Sequence, residues 1–83
     1  MTEQNIQSKI KARLQREGWT VVKLIKTSMN GIPDLLALRD GVAMFIEVKT
    51  PTGRLSPVQA HVIEQLIAAG FTVKIWKDYD TDF

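Results

Sequence analysis

Apolar residues recur at helical spacing near the start of the chain. Ile6, Ile10 and Leu14 lie four residues apart, which predicts a helix over Glu3 to Glu17 with one buried stripe. Gly18 follows directly and provides a stop signal. The chain is therefore expected to begin with an amphipathic helix.

Three apolar runs then predict strands over Trp19–Ile25, Leu35–Arg39 and Val42–Val48. The last two runs are apolar at nearly every position, which is typical of strands that are buried on both faces. We therefore expect helices on both sides of the sheet. Between these runs, Asp40-Gly41 strongly favours a two-residue hairpin turn.

A second helix begins with a recognisable capping pattern. Ser56 can cap it, Pro57 suits its first position, and Gln59 completes a capping box. Gly70 ends this helix, and Phe71–Trp76 predicts a final strand. The expected order is helix, three-stranded meander, helix and strand, with a right-handed crossover into the last strand.

The predicted hairpin brings charged residues together. If Arg39 pairs with Val42, Asp34 lies directly opposite Glu47, with β-carbons about 4.5–5.5 Å apart. Lys49 is two residues beyond Glu47 and shares its face. Two opposed carboxylates repel each other, and Mg²⁺ or Mn²⁺ would relieve that repulsion. The alternative is a surface hairpin whose acids pair with Lys49.

Two other polar residues fall near this rim of the sheet. Glu3 is in line with the apolar stripe of the first helix and would face the sheet, although an acid in the first turn also complements the helix dipole. Gln59 falls within the apolar arc of the second helix. It would bond either to the Ser56 amide, as in a capping box, or to the acids.

Composition limits the remaining possibilities. The 83 residues include no cysteine, so disulfides and thiolate metal sites are excluded. The net charge is +2, but Asp78, Asp80 and Asp82 are close to the end, and the rest carries eleven basic against six acidic residues. A basic body suits an anionic partner such as nucleic acid, although solvated basic helix faces are common. Polar loop residues that could contact a phosphate backbone are Lys26, Ser28, Asn30 and Arg54.

Three segments carry a family resemblance that covers nearly the whole chain. They are Gly31-Ile32-Pro33-Asp34-Leu35, Phe45-Ile46-Glu47-Val48-Lys49-Thr50 and Gly53-Arg54-Leu55-Ser56-Pro57-Val58-Gln59. The pattern resembles the PD-(D/E)XK nuclease superfamily, and more closely its VRR-NUC family in the minimal stand-alone form. The fold implied is α/β, with a restriction-endonuclease-like αβββαβ core and a mixed sheet flanked by helices.

The resemblance also implies roles for individual residues. Asp34, Glu47 and the Val48 carbonyl would be metal ligands for Mg²⁺ or Mn²⁺. Lys49 would be the catalytic lysine, Gln59 the motif glutamine near the site, and Glu3 the acid of the first helix. Stand-alone forms resemble Holliday junction resolvases, which act as homodimers on four-way or other branched DNA.

The leading hypothesis is therefore a metal-dependent DNA endonuclease formed by a single domain over residues 1–83. Two alternatives remain: a non-catalytic module that binds branched DNA, and a nuclease subunit that needs a partner protein. No apolar run is long enough to span a membrane, and the first eleven residues show no signal sequence. We expect a cytoplasmic protein of a bacterial or phage-infected cell.

Overall fold

The computed structural model describes residues 2–77, and the acidic residues Asp78, Asp80 and Asp82 lie outside this range. Two helices and four strands follow one another in the expected αβββαβ order. Their bounds are α1 Glu3–Arg16, β1 Thr20–Lys23, β2 Leu35–Arg39, β3 Val42–Val48, α2 Pro57–Ala68 and β4 Thr72–Trp76. Within residues 2–77, neither helix is long and apolar enough to cross a membrane.

The four strands form one mixed sheet in the order β1-β2-β3-β4. The first three strands pair antiparallel, and β4 pairs parallel to β3. The predicted hairpin register is confirmed, because Arg39 pairs with Val42 and Leu35 with Ile46. Asp40 and Gly41 both have positive φ, of 50° and 77°, as a two-residue type I′ turn requires.

The main core lies between α1 and one face of the sheet. The apolar stripe of α1 is fully buried, and alternate residues of the strands meet it. The buried members of this core are Ile6, Ile10, Leu14, Leu35, Ala37, Met44, Ile46, Val48 and Trp76. Because strand side chains alternate, Glu47 projects from the opposite face, towards α2.

The second face of the sheet is only partly covered. Helix α2 packs against β4 and buries Val62 and Ile63. Farther along the sheet, Val22 and Leu38 remain 41% and 39% exposed. The expectation that the central strands are buried on both faces is therefore wrong for β2 at this end, because α2 packs against β4, at the other edge of the sheet from β1.

Three elements differ from the sequence prediction at their ends. Strand β1 covers only Thr20–Lys23, and Ile25 lies in the following loop. Helix α1 ends at Arg16, with Glu17 as its cap. Phe71 precedes β4, because its amide donates to the Leu66 carbonyl at 3.1 Å and so completes the end of α2.

Candidate active site

The hairpin register brings Asp34 beside Glu47 at the rim of the sheet. The β2–β3 ladder ends with Leu35 opposite Ile46, so Asp34 and Glu47 are the next residues along the two chains at that end. The Val48 amide donates a hydrogen bond of 2.8 Å to Asp34 Oδ2. The strand that carries Glu47 thus also holds the Asp34 carboxylate in place.

Glu47 is a buried acid with incomplete hydrogen bonding. Its side chain is 1% exposed, and Gln59 Nε2 donates to its Oε1 at 3.3 Å. Within residues 2–77, Glu47 Oε2 is buried without any hydrogen-bond donor. A buried carboxylate oxygen without a donor is costly, so this site favours either a proton or a cation.

The pKa of Glu47 reflects this environment. Burial, followed by the negative charge of Asp34, raises the pKa of Glu47 from 4.5 to about 8. A proton on Glu47 also allows a hydrogen bond to the Asp34 carboxylate, which favours the neutral form. The positive charge of Lys49 acts in the opposite direction, and Glu3 adds a smaller upward contribution to this pKa.

Lys49 lies next to the acid pair. Its Nζ is 3.9 Å from Glu47 Oε1, and its side chain is only 13% exposed. An ammonium group held this close to the buried Glu47 carboxylate offsets part of its negative charge. The prediction that Lys49 shares the face of Glu47 is therefore confirmed.

Gln59 makes both of the contacts that the sequence left as alternatives. Its Oε1 accepts from the Ser56 amide at 2.9 Å, and its own amide donates to Ser56 Oγ at 3.1 Å. The other end of the same carboxamide donates to Glu47. The capping box of α2 therefore fixes the group that contacts the buried acid.

The other predicted site residues lie on α1 and in two loops. Glu3 is half-buried in the first turn of α1, and its negative charge makes a small contribution to the raised pKa of Glu47. Lys26 and Asn30 line an open cavity of about 460 Å³ together with Asp34. Ser28 is exposed in the same loop, and Arg54 is exposed in the loop before α2.

Of the other residues that line this cavity, Ile25 and Met29 have exposed apolar side chains, and the sequence prediction does not include them in the site. The apolar run predicts Ile25 as part of the first strand, whereas it lies in the following loop. The six residues after Ile25 are polar or glycine except for Met29, so both apolar side chains lie within a polar segment. That pattern is the signal in the sequence that could have identified them. A further cavity, of about 480 Å³, lies beside the Asp40-Gly41 turn, at the far end of the hairpin from the acid pair.

The donor groups at the acid pair fit a hard divalent cation. Among residues 2–77, no three His, Cys, Asp or Glu side chains gather into a metal-binding group. A cation bound by Asp34 and Glu47 would therefore need backbone oxygen, water or substrate phosphate as well. Mg²⁺ is commonly bound through one or two carboxylates, waters and substrate phosphates. The orphaned Glu47 oxygen is the observation that favours such an occupant.

Comparisons with known proteins point to one family. The family model of the VRR-NUC domain matches residues 1–77. "Putative nuclease p44" of Acyrthosiphon pisum secondary endosymbiont phage 1 is 28% identical over 79 residues, which are 94% of this chain and 85% of the relative. A solved structure of a VRR-NUC domain superposes with a TM-score of 0.84 at 32% identity, covering 93% of this chain and 85% of that one. The chain therefore belongs to the VRR-NUC nuclease family.

Proposed function

We propose that this nuclease is a divalent-metal-dependent DNA endonuclease that hydrolyses phosphodiester bonds with Mg²⁺ or Mn²⁺. The observation that carries the proposal is the buried Glu47 beside the half-buried Asp34, with Lys49 Nζ 3.9 Å from Glu47 Oε1. A protein that only bound DNA would gain nothing from acids facing phosphates, because DNA affinity comes largely from neutralising phosphate charge. This weighs against a non-catalytic binding module.

Asp34, Glu47 and the Val48 carbonyl would hold the cation. When bound, such a cation polarises a phosphate oxygen and lowers the pKa of a coordinated water. The Val48 amide keeps Asp34 oriented, and Gln59 bonds to one oxygen of Glu47 while the other oxygen stays without a donor and available to a cation. Glu3 adds negative charge at the same rim.

Lys49 would act on the substrate directly. Its ammonium group can neutralise a non-bridging phosphate oxygen or orient the attacking water. Beside it, the amino end of α2 offers the partial positive charge of the helix to the phosphate backbone, although its Ser56 and Gln59 amides are already bonded in the capping box. Arg54, Lys26, Ser28 and Asn30 are polar groups of the adjoining loops that can contact neighbouring phosphates.

A cleavage assay tests this proposal. The purified chain is incubated with labelled four-way junctions, flaps and plain duplex, with Mg²⁺, with Mn²⁺ and with EDTA. We expect metal-dependent cutting, with branched DNA cut faster than duplex. Tight DNA binding without cutting under every metal condition would instead favour the binding module, and activity that appears only with a second protein would favour the dependent subunit.

Replacing Lys49 by alanine is expected to slow cleavage by roughly a hundredfold while changing DNA affinity less than about threefold. Lys49 acts where charge develops during attack, whereas many basic groups share the binding of phosphates. Single-turnover rates and fluorescence anisotropy in EDTA measure the two effects. Lys74→Ala is the matched control, since Lys74 is exposed on β4. Equal losses of rate and affinity in Lys49→Ala would make this lysine a phosphate clamp.

We further propose that two copies act together on branched DNA. An 83-residue monomer has little surface with which to span a junction, and closed two-fold dimers are the commonest assembly. Val22 and Leu38, on the uncovered part of the α2-facing side of the sheet, give an apolar surface for a second copy. Two sites related by a two-fold axis match the two strands that must be cut in a four-way junction.

The dimer predicts a solution mass near twice the 9.4 kDa of the chain. Sedimentation equilibrium of wild type and of Leu38→Glu measures this, and the variant is expected to be monomeric because it introduces a charge into the interface. Val42→Glu, on the other face of the same strand pair, is the control and should remain dimeric. A wild-type monomer that still cuts both strands of a junction symmetrically would refute the dimer.

A further inference from the structure

The loop of residues 25–33, between β1 and β2, is tied to the acid pair. Its base is closed by the Leu24 amide, which donates to the Asp34 carbonyl at 2.9 Å. Thr27 Oγ1 bonds to both the carbonyl and the amide of Met29, at 2.9 and 3.3 Å. The loop therefore has a defined internal structure that ends at Asp34.

The far side of the same loop rests on α2. Gly31 has a φ of +85°, and a β-carbon added there would lie 2.8 Å from Val58 Cγ1 and 3.0 Å from the Val58 carbonyl oxygen. Only glycine satisfies both the conformation and this close approach. The 25–33 loop is thus supported at its base and against the helix that carries Gln59.

Two apolar side chains project from this supported loop. Ile25 is 83% exposed, the highest value for a large hydrophobic side chain within residues 2–77, and Met29 is 45% exposed. Single exposed apolar residues are ordinary. These two, however, line the same cavity of about 460 Å³ as Lys26, Asn30 and Asp34. Two apolar side chains, the Lys26 ammonium group and the Asn30 amide therefore line an opening that the Asp34 carboxylate also lines.

We propose that Ile25 and Met29 form a wedge that enters DNA beside an unstacked base, and that the cavity receives the nucleotide next to the cleaved phosphate. The inference rests on the proposed endonuclease function and specifies how its substrate is selected. Isoleucine and methionine are among the side chains that proteins insert between base steps to unstack them. A cavity of this volume falls within the range of about 300–1,000 Å³ that accepts small-molecule-sized groups.

The surrounding polar groups suit this occupant. Lys26 can neutralise a phosphate of the displaced nucleotide, and Asn30 can donate to or accept from a base edge or a phosphate oxygen. Unstacking a paired base has a free-energy cost that is smallest where pairing is already interrupted. A wedge of this kind therefore favours branch points over continuous duplex without any base-specific contact.

The test measures unstacking separately from cleavage. A junction carries 2-aminopurine next to the expected cleavage position, and its fluorescence is followed in EDTA at saturating protein, where binding occurs without cutting. We expect wild type to raise the fluorescence by about twofold or more, because unstacking relieves quenching of this base. Ile25→Ser with Met29→Ser should lose most of that increase. Ile67→Ser, an equally apolar change at a 55% exposed site on α2, should behave as wild type.

Cleavage provides the second arm. The double variant is expected to cut a fully paired junction at least about tenfold more slowly, but to cut a junction with an unpaired nucleotide at that position within about threefold of wild type. Because all three residues are exposed, the melting temperature should be unchanged, which circular dichroism checks. If no protein cleaves any substrate, but wild type still raises the fluorescence and the double variant does not, the nuclease proposal is rejected while the wedge remains a DNA contact.

Two results would overturn the wedge. The first is a double variant that raises the 2-aminopurine signal as strongly as wild type does. The second is a double variant whose mass falls from dimer to monomer at the same concentration, since Ile25 and Met29 would then contact a second copy of the chain instead of DNA. Sedimentation of the same samples separates this case from the loss of unstacking.

Discussion

Replacing Glu47 by glutamine, or Asp34 by asparagine, is expected to reduce DNA cleavage by about a thousandfold or more while the fold is retained. Each change removes one of the two carboxylates that would hold the cation. The hydrogen bonds of the site survive, because an amide oxygen can still accept from the Val48 amide at position 34 or from Gln59 at position 47. Single-turnover cleavage with Mn²⁺ or Mg²⁺ measures the loss, and circular dichroism checks the fold.

The matched control is Glu64→Gln. Glu64 is an exposed acid on α2, and its replacement makes the same change of charge outside the site. Its cleavage rate should equal that of wild type within about twofold, because surface substitutions of this kind have small effects. If Asp34→Asn or Glu47→Gln cleaves DNA at the wild-type rate, the replaced acid has no role in catalysis. That result would hold even though the protein is a nuclease.

The hairpin was the part of the site that local sequence specified best. Asp40-Gly41 adopts positive φ at both positions, so the turn type determines the register. The register in turn brings Asp34, the residue directly before the last pair of the ladder, beside Glu47, the residue directly after it. Alternation then puts Lys49 on the face of Glu47, where its Nζ is found 3.9 Å away. Each step depends only on residues within one hairpin, and for that reason it could be predicted.

Features that depend on tertiary contacts were less predictable. Strand β1 ends at Lys23, because its ladder ends where β2 begins, at Leu35. The apolar run itself continues to Ile25, so its own sequence carried no stop signal. The dual contact of Gln59 also required the position of α2 above the sheet, since one end bonds to Ser56 and the other reaches Glu47 twelve residues earlier. Sequence periodicity specifies a face but not such a distance.

The burial of Glu47 has a consequence for stability that the sequence did not reveal. Without metal, the protein is expected to lose stability as the pH rises from about 5 to above 8. The folded-state pKa of Glu47 is about 8, against an ordinary value of 4.5. Between these values the unfolded chain is ionised while the folded protein keeps the proton, so stability falls with rising pH. Below 4.5 both states are protonated, and above about 8 both are ionised.

The expected loss is on the order of 5 kcal/mol at most, from about 1.4 kcal/mol per pKa unit over the shift from 4.5 to about 8, which already includes the opposing charge of Lys49. Urea unfolding in EDTA at pH 5, 6.5 and 8.5 measures it. Glu47→Gln should lose most of this pH dependence and should be more stable than wild type at pH 8.5, because its neutral amide removes the buried charge beside Asp34. Subtracting the variant's profile removes the contributions of other titrating groups.

Adding Mn²⁺ provides the complementary measurement. A cation binds the ionised carboxylates, so it should stabilise wild type more at pH 8.5 than at pH 5 and reduce the difference between them. In Glu47→Gln the added stability should largely disappear. If the free energy of unfolding depends on pH in the same way in wild type and Glu47→Gln, protonation of Glu47 does not control the stability of the protein. A wild-type protein that became more stable as the pH rose would contradict the direction of the Glu47 pKa shift itself.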